Sequence, residues 1–77
     1  MGPAVGAIRE GAVYFKDGIF KVRLRGHEAC ECLLLDYLDY RSDTVDQLKE
    51  RLVGRVIKTR VVRVDGSYVD LRRFFEG

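Results

Sequence analysis

The sequence has 77 residues, with 14 Lys/Arg, 12 Asp/Glu, one His and a net charge of +2. That length allows one small domain, residues 1–77, with a marginal core: a chain of ~60 residues buries only about 60% of its unfolded surface. An apolar fraction of 47% excludes a disordered chain, and a net charge of +2 is only weak evidence for a polyanion partner.

Residues 1–7 carry neither a basic leader nor a long apolar run. No signal peptide or membrane span is expected there, and the stretch is expected to be flexible. Val13-Tyr14-Phe15 and Ile19-Phe20-Lys21-Val22 then flank Asp17-Gly18, a hairpin signal because a tight primed turn needs positive φ. A two-residue turn pairs Phe15 with Phe20 and Val13 with Val22. Those four side chains share one face with Leu24, while Tyr14, Lys16, Lys21 and Arg23 take the other. Gly26–Ala29 reads as a turn and Cys30–Leu38 as a third strand, with a helix over 29–40 as the alternative.

Ser42-Asp43-Thr44 opens a short helix near residues 43–53. Thr44 and Gln47 have capping-box spacing, Val45, Leu48 and Leu52 form an apolar stripe, and Gly54 suits the C-terminal cap. A second hairpin is expected at Asp65-Gly66, between Val61–Val64 and Tyr68–Leu71, with a bulge near Val61-Val62 to correct its register. The predicted fold is mainly β, a small five-stranded antiparallel barrel with one short helix. The order β–β–β–α–β–β is the OB plan, and the same elements permit an SH3-like barrel. The expected core is Val13, Phe15, Phe20, Val22, Leu34, Val45, Leu48, Leu52, Ile57, Val69 and Leu71.

Little in the chain suggests catalysis. Cys30 and Cys32 lie too close in sequence for an unstrained disulfide, which fits a reducing setting, cytoplasm or nucleus. With His27 they supply three ligands at the wrong spacing for a structural zinc site. Ser42 and Ser67 are accounted for by a helix start and a turn, and there is no glycine-rich phosphate loop. The expectation is a binding protein with no enzyme activity, metal or cofactor. Tyr14, Tyr37, Tyr40 and Tyr68 are candidates for an exposed aromatic platform. Residues 1–40 hold five Lys/Arg against six Asp/Glu, and residues 41–77 nine against six. In that basic half Lys58, Arg60, Arg63, Arg72 and Arg73 are candidates to hold phosphates.

The run Ala12–Leu24, with Leu35-Asp36-Tyr37-Leu38-Asp39, resembles a Tudor domain over roughly residues 11–52. The resemblance implies an SH3-like barrel that reads methylated Arg or Lys in a partner's tail. Tyr14, Phe20 and Tyr37 would match its cage aromatics, and Asp39 the ligand-bonding Asn. Residues 48–71 are similar, more weakly, to the helix-then-hairpin of staphylococcal-nuclease-like OB folds, without that family's catalytic arginines and calcium-binding acids.

Three readings follow. The favoured one is a Tudor-like adaptor that recognises a protein segment through Tyr14, Phe20, Tyr37 and Asp39. The alternative is an OB-like binder of RNA or DNA that uses Lys58, Arg60, Arg63, Tyr68 and Arg72. The third is a structural subunit whose strands complete a partner's sheet.

Overall fold

A computed structural model describes residues 2–38 and 42–76, with the side chains of Ser42 and Asp43 left aside. Five strands, β1 (Ile8–Lys16), β2 (Ile19–Leu24), β3 (Glu31–Leu34), β4 (Val56–Asp65) and β5 (Tyr68–Arg73), form a closed barrel in the order β1-β2-β3-β5-β4. One helix, α1 (Ser42–Leu52), lies between β3 and β4. This is the OB arrangement, with the expected small barrel and single helix both present. One pairing departs from the antiparallel expectation. β3 and β5 run parallel, with Cys32 beside Val69 and Leu34 beside Leu71. Parallel neighbours need a long crossover, and α1 with β4 supplies it.

The first hairpin has the expected register, Phe15 opposite Phe20 and Val13 opposite Val22. Its turn places Asp17 at φ 55° and Gly18 at φ 76°, the pair of positive values that a type I′ turn requires. In the second hairpin the turn falls one residue later than expected. Asp65 pairs with Tyr68, so Gly66 and Ser67 form the loop, with Gly66 at φ 61° in the manner of a type II′ turn. A register shift between Val61 and Arg63 then adds one residue on β4. The bulge lets Val64 oppose Val69 and Val61 oppose Leu71 on the inner face, whereas an unbroken register would turn one pair outward.

Inward residues of every strand fill the barrel: Val13, Phe20, Val22, Leu24, Cys32, Leu34, Ile57, Val61, Val69 and Leu71, with Leu52 entering from α1. Phe15 and Leu48, expected in the core, pack against it half-buried, and Val45 is also half-buried. Thr59 is an inward polar residue. Its hydroxyl donates to the Arg9 carbonyl oxygen (2.9 Å), which satisfies a group that is costly to bury unpaired.

The third strand ends earlier than its sequence suggested. After Leu34 the chain enters a 3-10 turn, Leu35–Tyr37, and no long helix forms over the described part of 29–40. The Asp36 carboxylate accepts the Arg73 backbone N–H (2.8 Å) and ties this turn to the end of β5. At the other terminus Pro3 is buried, the Gly6 N–H donates to the Val61 carbonyl, and the Ala7 carbonyl accepts from the Val61 N–H. Gly6 and Ala7 thus run along β4.

Gly11 marks a close approach that the sequence reading did not single out. A Cβ built there would lie 2.5 Å from the Arg23 carbonyl oxygen and 2.6 Å from Val22 Cγ1. Gly11→Ala therefore forces β1 and β2 apart and is expected to cost about 1–3 kcal/mol of unfolding free energy in a denaturant melt. Phe20→Ala, which empties the middle of the barrel, should cost about 3–5 kcal/mol. A Gly11→Ala midpoint equal to wild type would show that the two strands are not packed this closely.

Candidate functional site

Strand alternation divides the candidate residues between two environments. Phe20 is 1% exposed and sits inside the barrel, its ring 4.9 Å from that of Phe15 and 5.9 Å from that of Tyr37, both edge-on. Tyr14 lies one strand position from Phe15 and therefore points outward, with the Arg23 guanidinium 5.4 Å from its ring centre. Phe20 and Tyr37 meet as core packing, and Tyr14 is on the opposite face. The aromatic cage implied by the Tudor resemblance does not assemble from these three residues. Asp39, its fourth expected member, lies outside the described residues, as does Tyr40.

The other set converges. Lys58, Arg60, Arg63, Tyr68 and Arg72 are all exposed on the outer face of β4 and β5. Arg60 pairs across the ladder with Arg72, and its guanidinium lies 5.4 Å from the Phe74 ring centre. Lys58 is ion-paired with Glu76, which raises the lysine's pKa and lowers the carboxylate's. Arg63 faces Asp70 across the ladder (3.8 Å) and also approaches Asp65 (3.7 Å). The cations are therefore interleaved with acids and rings.

Tyr68 is the outstanding member of this face. It opens β5 immediately after the tight Gly66-Ser67 turn and is 63% exposed. Glu31 of β3 is its parallel neighbour, and the Glu31 N–H donates to the Ser67 carbonyl (2.8 Å), which anchors the turn to β3. Glu31 in turn accepts from Lys21 of β2 (2.9 Å), a lysine that is nearly fully buried although it points away from the core. Hydrogen bonding and the opposite charge hold the Glu31 carboxyl below its ordinary pKa of 4.5 and the Lys21 ammonium above its ordinary 10.5. Beside the turn is an open depression of about 560 Å³ lined by Gly2, the 26–30 loop, Gly66 and Ser67. In OB barrels the β4–β5 loop and the face of strands 2 and 3 are where ligands dock. Here Tyr68, Glu31 and the depression occupy that end.

No protein-family model matches the chain. It is 35% identical to the Protein K3 homolog of Swinepox virus (strain Kasza) over 71 residues, which are 90% of this chain and 81% of that protein. The chain belongs to the K3 protein family. Protein K3 of Vaccinia virus (strain Copenhagen) is 30% identical over the same shares. Among solved structures, the K3 protein of Vaccinia virus (Wisconsin strain) superposes with a TM-score of 0.84 at 28% identity, over 96% of this chain and 92% of that one. The Myxoma virus protein M156R superposes with a TM-score of 0.68 at 75% identity, over 97% of this chain and 74% of that one. Both superpositions are on the five-stranded OB-like barrel described above. No helix among the described residues is long and apolar enough to cross a membrane.

Two features of this region are measurable. The pair of Glu31 and Lys21 stabilises the fold above the ordinary carboxylate pKa, and the contribution is lost as pH falls through the depressed Glu31 value. It persists below the ordinary lysine pKa and is lost as pH rises through the raised Lys21 value. Glu31→Gln should therefore lower Tm at pH 7, with the difference from wild type disappearing in acid below the carboxylate range. A Tm difference independent of pH would show that the pair is not responsible. Burial pushes the Cys32 thiol up to about 11, with Cys30 beside it adding to the rise. In native protein at pH 8, iodoacetamide should label Cys30 and spare Cys32, as read by peptide mass spectrometry.

Proposed function

We propose that this chain is a non-catalytic binding module that recognises a folded protein partner through the outer face around Tyr68. The observation that carries this reading is a large, exposed ring held on a tight turn and flanked by ordered charges of both signs. Tyr68 supplies amphipathic contact area at low entropic cost, while Arg63, Asp65, Asp70 and Glu31 supply charges at fixed positions. Tyr and Arg are the residue types that concentrate binding energy at protein interfaces. A polyanion would meet acids across much of the same surface.

The absence of catalysis is part of the proposal. The depression beside the turn holds His27, Cys30 and Ser67. A nucleophile needs a base within hydrogen-bond reach. Among the described residues, His27 makes no side-chain hydrogen bond to either Cys30 or Ser67. Completion of a partner's sheet is disfavoured, because each strand of the closed barrel is hydrogen-bonded to two neighbours.

A second reading, binding of RNA or DNA, is favoured by one observation: Lys58, Arg60 and Arg72 form an exposed stripe next to the Phe74 ring. The two readings separate experimentally. Immobilised chain should retain a protein from nuclease-treated cell extract, and Tyr68→Ala should weaken that retention about tenfold or more, the scale of an interface hot spot. Titration with single-stranded oligonucleotides should give only weak binding at physiological salt. Nuclease-sensitive retention, or tight oligonucleotide binding with a log–log salt slope of roughly 2–3 that collapses on changing Lys58, Arg60 and Arg72 to Ala, would overturn the protein-partner reading.

A further inference from the structure

At the opposite end of β5 from Tyr68, the strand delivers Arg73 beside the end of α1. Arg51 and Leu52 of the last helical turn, Arg55 of the link to β4, and Arg73 line a single cavity of about 190 Å³. Three guanidinium-bearing side chains around so small a space repel one another, so the cluster opposes folding unless something offsets it.

Among the described residues no carboxylate is ion-paired with Arg51, Arg55 or Arg73. Asp36 accepts the Arg73 backbone N–H (2.8 Å) and brings one negative charge beside three guanidinium groups, which leaves the cluster net positive. A cation in the last turn of α1 is favoured by the macrodipole, which accounts for Arg51 alone. The helix's closing carbonyls also have backbone donors: Lys49 accepts from Val53, and Leu52 from Arg55. Arg73 is held in place, since its Nη1 donates to the Tyr37 hydroxyl (3.2 Å) and its guanidinium lies 4.8 Å from the Phe75 ring centre.

We propose that this cavity binds a phosphoryl dianion, either free phosphate or the phosphomonoester of a modified side chain. Guanidinium forks match phosphate oxygens and form short, charge-assisted hydrogen bonds. A tetrahedral dianion presents oxygens to three forks at once, whereas a planar carboxylate has two oxygens to share. The site lies at the other end of a six-residue strand from Tyr68, about 17 Å away along it, and does not rest on the protein-partner reading.

The test is a nitrogen–proton NMR titration of the full chain, with arginine side-chain signals resolved, at ionic strength held constant with chloride. One arm uses inorganic phosphate. The other uses a phosphoserine peptide against its unphosphorylated form. Saturable shifts at Arg51, Arg55 and Arg73, weakened at least tenfold in Arg55→Gln and in Arg51→Gln, are the expected result. Both substitutions are at exposed positions and relieve repulsion, so a Tm equal to or above that of the wild type shows that the fold is retained. Tighter binding of the phosphopeptide assigns the site to a modified side chain, and equal or tighter binding of phosphate assigns it to the free ion. Non-saturating shifts in both arms, shifts equally large at Arg60 and Arg72, or no loss of affinity in either variant would overturn the proposal.

Discussion

Pairing of β3 with β5 is the contact on which the rest of this small molecule depends. It joins the first three strands to the last two and makes an open sheet into a barrel. The joint is only four residues long on β3, yet it brings Cys32, Leu34, Val69 and Leu71 together at full burial. It also fixes where β5 begins, because the Glu31 N–H bonds to the turn carbonyl of Ser67. Without the extra residue in β4, Val61 and Val64 would not both face the interior. Bulge, turn and parallel joint form one device, and none of the three works alone.

Closure also decides where function can reside. The interior is filled by Phe20, Leu24, Leu34, Leu71 and the valines around them, so it offers no ligand cavity of its own. Recognition is left to the outside of the barrel. There the chain sets charged residues in opposed pairs, Lys21 with Glu31, Arg63 with Asp70 and Lys58 with Glu76. The exceptions are informative: Tyr68 projects at one end of β5, and the arginines around Arg73 gather at the other.

Much of this was legible in the sequence because it is local. The Asp17-Gly18 turn and the period-two alternation around it specify the first hairpin's register and both of its faces. The apolar stripe specifies α1, although the helix begins at Ser42, so Thr44 lies within its first turn and is not the cap that its spacing to Gln47 suggested; the need for a bulge near Val62 follows from the mismatch between Arg60 and Leu71. The second turn shifted by one residue because Gly66 alone takes positive φ there. What escaped is non-local. Gly11 matters through the Arg23 backbone, Thr59 through the Arg9 carbonyl, and the arginine cluster through the meeting of α1 with the end of β5. The Tudor resemblance carried positions across without the strand geometry, and so made a cage residue of Phe20, a side chain that the hairpin's own alternation buries.

The central claim is that β3 and β5 close the barrel in parallel and thereby hold Tyr68 outward at the turn. Interstrand nuclear Overhauser contacts in the labelled chain test this most directly. The structure predicts contacts of Cys32 with Val69 and of Leu34 with Leu71, together with slow amide exchange along these segments. Absence of those contacts, with β5 instead pairing along β1 as a simple meander would place it, would contradict the barrel and the position of Tyr68 with it.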